Sequence, residues 1–216
     1  MKIEVPAKYV PKISLNIRVF FIVLGIIAVA HTFLAEKPDS PFPDTENKNP
    51  LLLSTGLLEA QEAELRIILW FEKGKPQKNF LVGMPQENWV WQESHPANSM
   101  SRGYSLAGYT RINRGMEEAV FSWYQSLAQE VEKAGGLAYL DERVQEGLDI
   151  AQYALKENIL PRQFSLSEGI YSVAGWQESL LPKVAVGNDS VNIQVISQGY
   201  GQGKTALAIP VLLEEF

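Results

Sequence analysis

Hydrophobic positions at the start of residues 51–216 recur at helical intervals. Five of them share one face of a helix after Ser54-Thr55, namely Leu57, Leu58, Leu65, Ile68 and Leu69. Because Ser-Thr is typical of a helix start, the pattern predicts a helix over about residues 56–72. The ILWF at the end of this segment, residues 68–71, is equally compatible with a strand.

Two longer helices are predicted further along the chain. The first has apolar residues at steps of three or four, which are Met116, Val120, Tyr124, Leu127 and Val131. Gly135-Gly136 then supplies a helix stop. The second continues the spacing with Leu137, Leu140, Val144, Leu148, Ala151 and Leu155. Helices joined by so short a turn are expected to pack antiparallel. The sequence SLSE, residues 165–168, fits a capping box and predicts a short helix through Trp176.

Short runs of apolar and β-branched residues predict strands. They are NFLVGM at residues 79–84, ENWVWQE at 87–93, VNIQVIS at 191–197 and TALAIPVLL at 205–213. The glycine-rich GYGQG joins the last two. The predicted fold class is α+β, with two long antiparallel helices packed on a small, mostly antiparallel sheet.

The N-terminus predicts a membrane segment before this domain. Residues 13–35 are predominantly apolar, with Arg18 as the only formal charge, and are long enough to cross a bilayer as a helix. Positive charge dominates residues 1–12. The segment is therefore predicted to lie in the inner membrane, with the N-terminus in the cytoplasm and the domain exported to the periplasmic or extracytoplasmic side. The alternative is a signal peptide cleaved after Ala30, because Ala28-Val29-Ala30 is an A-x-A site. The proline-rich residues 36–50 predict a linker, which leaves 51–216 as one exported globular domain.

Charge and composition argue against several classes of function. The net charge of −6 argues against a nucleic-acid partner, which needs a surplus of Lys and Arg. The chain has no Cys, so disulfides, thiolate metal sites and Cys nucleophiles are excluded. We assign no metal or cofactor.

Two motifs resemble catalytic ones without matching them. In GYGQGKT only three residues separate Gly199 from Gly203, whereas a phosphate-binding loop has four, so no nucleotide is expected and the glycines predict a hairpin loop. GYSLAG resembles a nucleophile elbow around Ser105, but its flanks have loop composition. Five acidic residues are predicted to lie on solvated helix faces, namely Glu130, Glu132, Asp141, Glu142 and Glu146. No catalytic residue is assigned.

Two groups of residues are candidates for partner binding. Trp89 and Trp91 lie two apart, so a strand would place both indoles on one face, where they can stack on a sugar or a partner, or belong to the core. Residues 94–115 predict a long loop without acidic residues. It contains Arg102, Tyr104, Tyr109, Arg111 and Arg114, residue types that are enriched at interface hot spots. Alternatively, Arg111 and Arg114 neutralise Glu117 and Glu118 while the loop covers a sheet edge.

Topology and the absence of a specific catalytic motif favour a non-catalytic role. The sequence predicts a bitopic bacterial envelope protein that contributes its domain to a multiprotein membrane assembly, such as a secretion, transfer or cell-wall complex. Its expected partners are other membrane or envelope proteins, with the lipid bilayer around residues 13–35. The alternatives are a protein that binds or modifies peptidoglycan through Trp89 and Trp91, and a cleaved, soluble periplasmic binding protein.

Overall fold

The computed structural model describes residues 49–76, 80–81, 88–94, 103–187, 189–199 and 203–213. All of them belong to one unit, Thr45–Phe216. The strands in this part of the chain are β1 (Glu62–Phe71), β2 (Val90–Ser94), β3 (Tyr104–Asn113), β4 (Gly136–Val144), β5 (Leu160–Ser167), β6 (Ile170–Trp176), β7 (Val184–Val186), β8 (Asp189–Val191), β9 (Ile193–Gln198) and β10 (Lys204–Ile209). The helices are α1 (Glu117–Lys133) and α2 (Ile150–Lys156), and 3₁₀ turns occupy Leu53–Thr55 and Arg114–Met116.

Eight of the strands form one antiparallel sheet. Its order is β2-β3-β1-β4-β10-β9-β6-β5, and β7 pairs with β8 in a separate hairpin. In β1, residues 63, 65, 67, 69 and 71 are buried and alternate with more exposed neighbours. This period of two is the signature of a strand with one face in the core.

The two faces of the sheet have different environments. The helix face carries Leu65, Ile67 and Leu69, and α1 packs against it at β4 while α2 packs near β6 and β9. The open face carries Glu64, Arg66 and the residues level with them on β3 and β4. Residues 211–213 approach the open face at β9, where the Leu212 amide donates to Gln194 Oε1 at 3.0 Å. In the part of the chain that is described, no helix covers this face.

The predicted fold class is wrong, because the sheet dominates and only one helix is long. The predicted helix at 56–72 contains β1, whose Ala63, Leu65, Ile67, Leu69 and Phe71 point to the core with a period of two. The second predicted long helix, at 137–155, is replaced by β4 and the seven-residue α2. The predicted helix at 165–176 is the β5–β6 hairpin, whose turn contains Glu168 and Gly169, both with positive φ.

Other predicted elements are confirmed. Helix α1 covers Glu117–Lys133, and Gly135 follows it with φ of 77°, in the left-handed region that favours glycine. Strands β9 and β10 form an antiparallel hairpin around the glycine segment, where Gly199 and Gly203 also have positive φ. Gly199 and Gly203 therefore lie in the connection of a hairpin, as predicted.

Several predicted features lie outside the described residues. They are the tail at 1–12, the apolar segment at 13–35, almost all of the linker at 36–50, and most of the NFLVGM run. Among the helices that are described, none has the length and apolar character needed to span a bilayer.

Gly108 in β3 is needed for the packing of Trp91. A Cβ atom at this position would lie 2.6 Å from the indole ring of Trp91, which itself stacks on Trp89. We therefore expect Gly108→Ala to lower the free energy of unfolding by about 1–3 kcal/mol through overpacking. Urea denaturation of the full-length chain, followed by tryptophan fluorescence, measures the change.

Gly115→Ala is the matched control for Gly108→Ala. Its added Cβ would meet only Asn113 Oδ1, at 3.4 Å. Equal stability of the two variants would show that Trp91 does not pack on β3.

Candidate partner-binding groove

Three neighbouring strands place charged side chains in two rows on the open face. Antiparallel register puts Tyr109, Arg66 and Asp141 in one row across β3, β1 and β4. The next row contains Arg111, Glu64 and Arg143. These six residues line a depression of about 430 Å³, which we call the arginine groove.

Side-chain contacts hold the rows in place. The Arg66 guanidinium lies 4.8 Å from the centre of the Tyr109 ring, a distance suited to a cation–π interaction. Arg143 donates to both carboxylate oxygens of Asp141, through Nη2 at 2.8 Å and Nε at 3.2 Å. Across the groove, Arg111 Nη2 donates to Glu64 Oε1 at 3.3 Å. The groove therefore presents three guanidinium groups that are already oriented by neighbours.

The groove is suited to binding an acidic partner. Its six residues include three arginines and two carboxylates, so its own charge is positive although the chain is acidic. The Arg111 side chain is 65% exposed and Tyr109 is 37% exposed, so both can contact a partner. Arginine and tyrosine are frequent binding anchors because they combine charge or hydrogen bonding with a flat apolar surface.

The structure separates the residues of the predicted basic loop. Residues 104–113 form β3, so the prediction of a loop is wrong for them. Tyr109 and Arg111 lie in the arginine groove, whereas Tyr104 is buried on the opposite face, 6.3 Å from Phe71 between ring centres. Arg102 lies outside the described residues. The partner-binding role of these residues stays a prediction.

Arg114 stabilises the fold locally. Its Nη2 donates to the carbonyls of Leu58 and Ala60, at 3.2 and 3.3 Å. The alternative was that Arg111 and Arg114 neutralise Glu117 and Glu118. These contacts do not support it, because Arg114 binds backbone carbonyls and Arg111 pairs with Glu64 of β1. Glu117 is instead fully buried.

Trp89 and Trp91 stack on each other, with ring centres 5.4 Å apart. Trp89 also contacts Trp123 of α1, at 5.8 Å between ring centres, and is only 8% exposed. Trp91 covers Gly108 on the helix face of the sheet. These contacts occupy ring faces that a sugar would need, so the packing favours the core interpretation of the pair.

Sequence reasoning missed four of the six groove residues. Glu64 and Arg66 fell inside a predicted helix, and Asp141 was counted among acids on solvated helix faces. No sequence motif singles out Arg143. The available signal was alternation, because EAELRIILW and YLDERV both place polar residues at every second position of a strand. Read as strands, these segments would have put the polar residues on one face.

A second cluster missed by sequence reasoning is the buried carboxyl pair of Glu117 and Glu142. Both residues are 0% exposed. The Leu52 amide donates to Glu142 Oε2 and the Leu53 amide to Glu117 Oε1, each at 2.7 Å. Glu117 also accepts from the Ser54 hydroxyl. The prediction that Glu142 lies on a solvated helix face is therefore wrong.

Burial and the neighbouring Glu117 favour the protonated form of the Glu142 carboxyl. Burial raises the pKa of Glu142 well above its usual range, and the hydrogen bond and charge of Glu117 raise it further. Because both groups are fully buried and bound to backbone amides, they can hold residues 52–54 in place but cannot touch a substrate.

Residues 50–55 are fixed by further polar contacts, and together we call these contacts the N-terminal clamp. The Tyr153 hydroxyl donates to the Pro50 carbonyl at 2.6 Å, and the Lys156 ammonium donates to the Thr55 carbonyl. Glu117 and Glu142 complete the clamp. The clamp explains why Leu51, Leu52 and Leu53 are fully buried before the first strand begins.

The chain matches no protein-family model, no curated protein and no solved structure. Within the described ranges, no group of three or more His, Cys, Asp or Glu residues is arranged to hold a metal ion.

Proposed function

We propose that the protein is a non-catalytic envelope component that binds an acidic segment of a partner protein in the arginine groove. In this proposal residues 13–35 anchor the chain in the inner membrane, with the N-terminus in the cytoplasm and the domain exported. The apolar length and the flanking charges of that segment support the anchor. The assembly belongs to the class of secretion, transfer or cell-wall complexes.

The observation that carries the proposal is the exposed Tyr109 and Arg111 in a preformed depression, on the face of the sheet that no described helix covers. A partner carboxylate can approach Arg111 while an apolar group packs on the Tyr109 ring. The existing bonds of Arg111 to Glu64 and Arg143 to Asp141 restrict these side chains, which lowers the entropy lost on binding. No comparable observation favours the peptidoglycan alternative, because Trp89 packs against α1.

Replacing both exposed anchors tests the proposal. We expect Tyr109→Ala combined with Arg111→Ala to weaken partner binding by roughly 30-fold, which corresponds to about 2 kcal/mol at a hot spot. Both side chains are exposed, so the domain should melt at nearly the wild-type temperature. The measurement is crosslinking of the full-length chain in native membranes, followed by quantification of the captured partners.

Lys73→Ala is the control, since Lys73 is also exposed but lies outside the groove. Wild-type capture by the double variant would contradict the groove as the binding site. A mature chain beginning at His31 would remove the anchor from the proposal and favour the soluble binding protein instead.

A further inference from the structure

The chain that follows β10 leads to the arginine groove. The Leu212 amide donates to Gln194 Oε1 at 3.0 Å, and this bond anchors the segment on the open face of the sheet. Leu213 lines a small cleft on the same face together with Arg66 and Asp141. Arg66 and Asp141 also line the arginine groove. Leu213 therefore lies next to two residues of the groove.

Strand register puts the anchor of this segment level with the first row of the groove. Gln194 of β9 is level with Ala208 of β10, and Ala208 is level with Asp141 of β4. Asp141 is in turn level with Arg66 of β1, and Arg66 with Tyr109 of β3. The anchor and the groove therefore share one line across five neighbouring strands.

The three residues after Leu213 have the chemistry that the groove is suited to bind. They are Glu214, Glu215 and Phe216, which we call the EEF segment, and they lie outside the described residues. An extended chain spans about 3.3–3.6 Å per residue, so the segment reaches roughly 10 Å beyond Leu213. The second row of the groove, which contains Arg111, is two strand residues or about 7 Å from the first row. Both rows are therefore within reach of the two carboxylates.

We propose that the EEF segment binds in the arginine groove of its own chain and competes there with the acidic partner. Glu214 and Glu215 bring two carboxylates to three guanidinium groups, and such charge-assisted hydrogen bonds are stronger than neutral ones. Phe216 supplies an apolar group for the Tyr109 ring. The contact itself requires only the groove, whereas its regulatory role rests on the proposed function.

Attachment to the same chain makes even a weak contact effective. A binding segment on a short connection is present at an effective concentration in the millimolar range. If the dissociation constant of the contact is roughly tenfold below this concentration, the apparent affinity of the groove for an outside ligand falls about tenfold. A partner protein would therefore gain access to the groove by displacing residues of the same chain.

Introduced cysteines test the contact directly, because the natural chain has no Cys. Glu64 lines the groove, whereas Ser172 accepts from the Leu212 anchor, Gln194, at 3.1 Å. We compare Glu64→Cys with Phe216→Cys against the control pair Ser172→Cys with Phe216→Cys. Mild oxidation of the dilute full-length protein should form the intramolecular disulfide of the groove pair roughly fivefold faster or more, as measured by mass spectrometry. Equal rates for the two pairs would overturn the proposal.

Removal of the two carboxylates tests the competition. The probe is a fluorescent peptide of sequence LLEEF, residues 212–216, added to the full-length protein in detergent. We expect Glu214→Gln combined with Glu215→Gln to bind the probe about tenfold more tightly than the wild type does, in fluorescence anisotropy. Adding Arg111→Ala to this variant should remove most of the gain. The control Glu118→Gln with Glu132→Gln removes the same charge from exposed positions of α1 and should match the wild type.

The probe and the native partner separate this proposal from the proposed function. Equal probe affinity of the wild type and the Glu214→Gln/Glu215→Gln variant, or no binding to either, would overturn the competition. Partner capture in native membranes that still depended on Tyr109 and Arg111 would then leave the proposed function intact. Conversely, tighter probe binding by the variant, with partner capture that does not depend on Tyr109 and Arg111, would support the contact and contradict the proposed function.

Discussion

Tyr124→Ala is expected to lower the free energy of unfolding by about 3–5 kcal/mol, the range for removing a large aromatic side chain from a core. Tyr124 lies on the inner face of α1 and is 0% exposed. Its hydroxyl lies 3.1 Å from the carbonyls of Ala138 and Ile209. The β4–β10 ladder ends at Leu140 and Ile209, so Tyr124 provides a donor where the ladder stops. Alanine would remove both the packing and this donor.

Tyr124→Phe separates the two contributions. Phenylalanine keeps the ring and loses only the hydroxyl, so we expect a smaller loss of about 1–2 kcal/mol. Guanidinium denaturation of the full-length chain in detergent, followed by far-UV circular dichroism, gives both values. If the two variants were equally stable, the ring would contribute nothing to the packing of α1 on β4.

Glu142→Ala is expected to lower the free energy of unfolding by about 3 kcal/mol, because it removes a buried group that interacts with both Leu52 and Glu117. The Leu52 amide would lose its acceptor, and Glu117 would lose its neighbouring carboxyl group. Glu142→Gln keeps an acceptor for Leu52 and an N–H that can donate to Glu117. The glutamine variant should therefore be much more stable than the alanine variant.

The raised pKa of Glu142 also predicts a pH dependence. The folded state holds the proton more tightly than the unfolded state does, so the stabilisation is complete below the ordinary carboxyl pKa. It is lost as the pH rises through the higher pKa of the folded protein. The unfolding free energy of the wild type should therefore fall over this interval, whereas that of Glu142→Gln should fall less. Urea denaturation between pH 5 and pH 9 compares the two proteins, and parallel curves would contradict a raised pKa of Glu142.

Hydrophobic periodicity predicted helix α1 correctly, but it did not decide between helix and strand for β1. Helix α1 was found because its buried positions follow a helical period without a competing period of two. In β1 both periods are present: Leu65, Ile68 and Leu69 fit a helix, while Leu65, Ile67 and Leu69 fit a strand. Pairing with β3 and β4 decides the outcome, and such long-range pairing cannot be read from a local window.

The groove could be predicted only in part for the same reason. Tyr109 and Arg111 were identified by residue type alone. Arg66 lies 43 residues before Tyr109 in the sequence, and Asp141 lies 32 residues after it. The three residues become neighbours only through the register of β3, β1 and β4. The buried position of Glu117 likewise depends on Leu53 and Ser54, which are distant in sequence. An acidic residue at the start of a helix gives no local sign that a backbone amide from a distant segment will donate to it.

The N-terminal clamp has a mechanical consequence. A pull on the chain at Asn49 would load the contacts at Pro50, Leu52, Leu53 and Thr55 together, because all of them lie within six residues. Contacts loaded in parallel share tension, whereas contacts loaded in series break one after another. The tension would enter α1, α2 and the central strand β4, whose side chains make these contacts. The clamp would then resist stretching of the chain, while β5, at the far edge of the sheet, remains free of load.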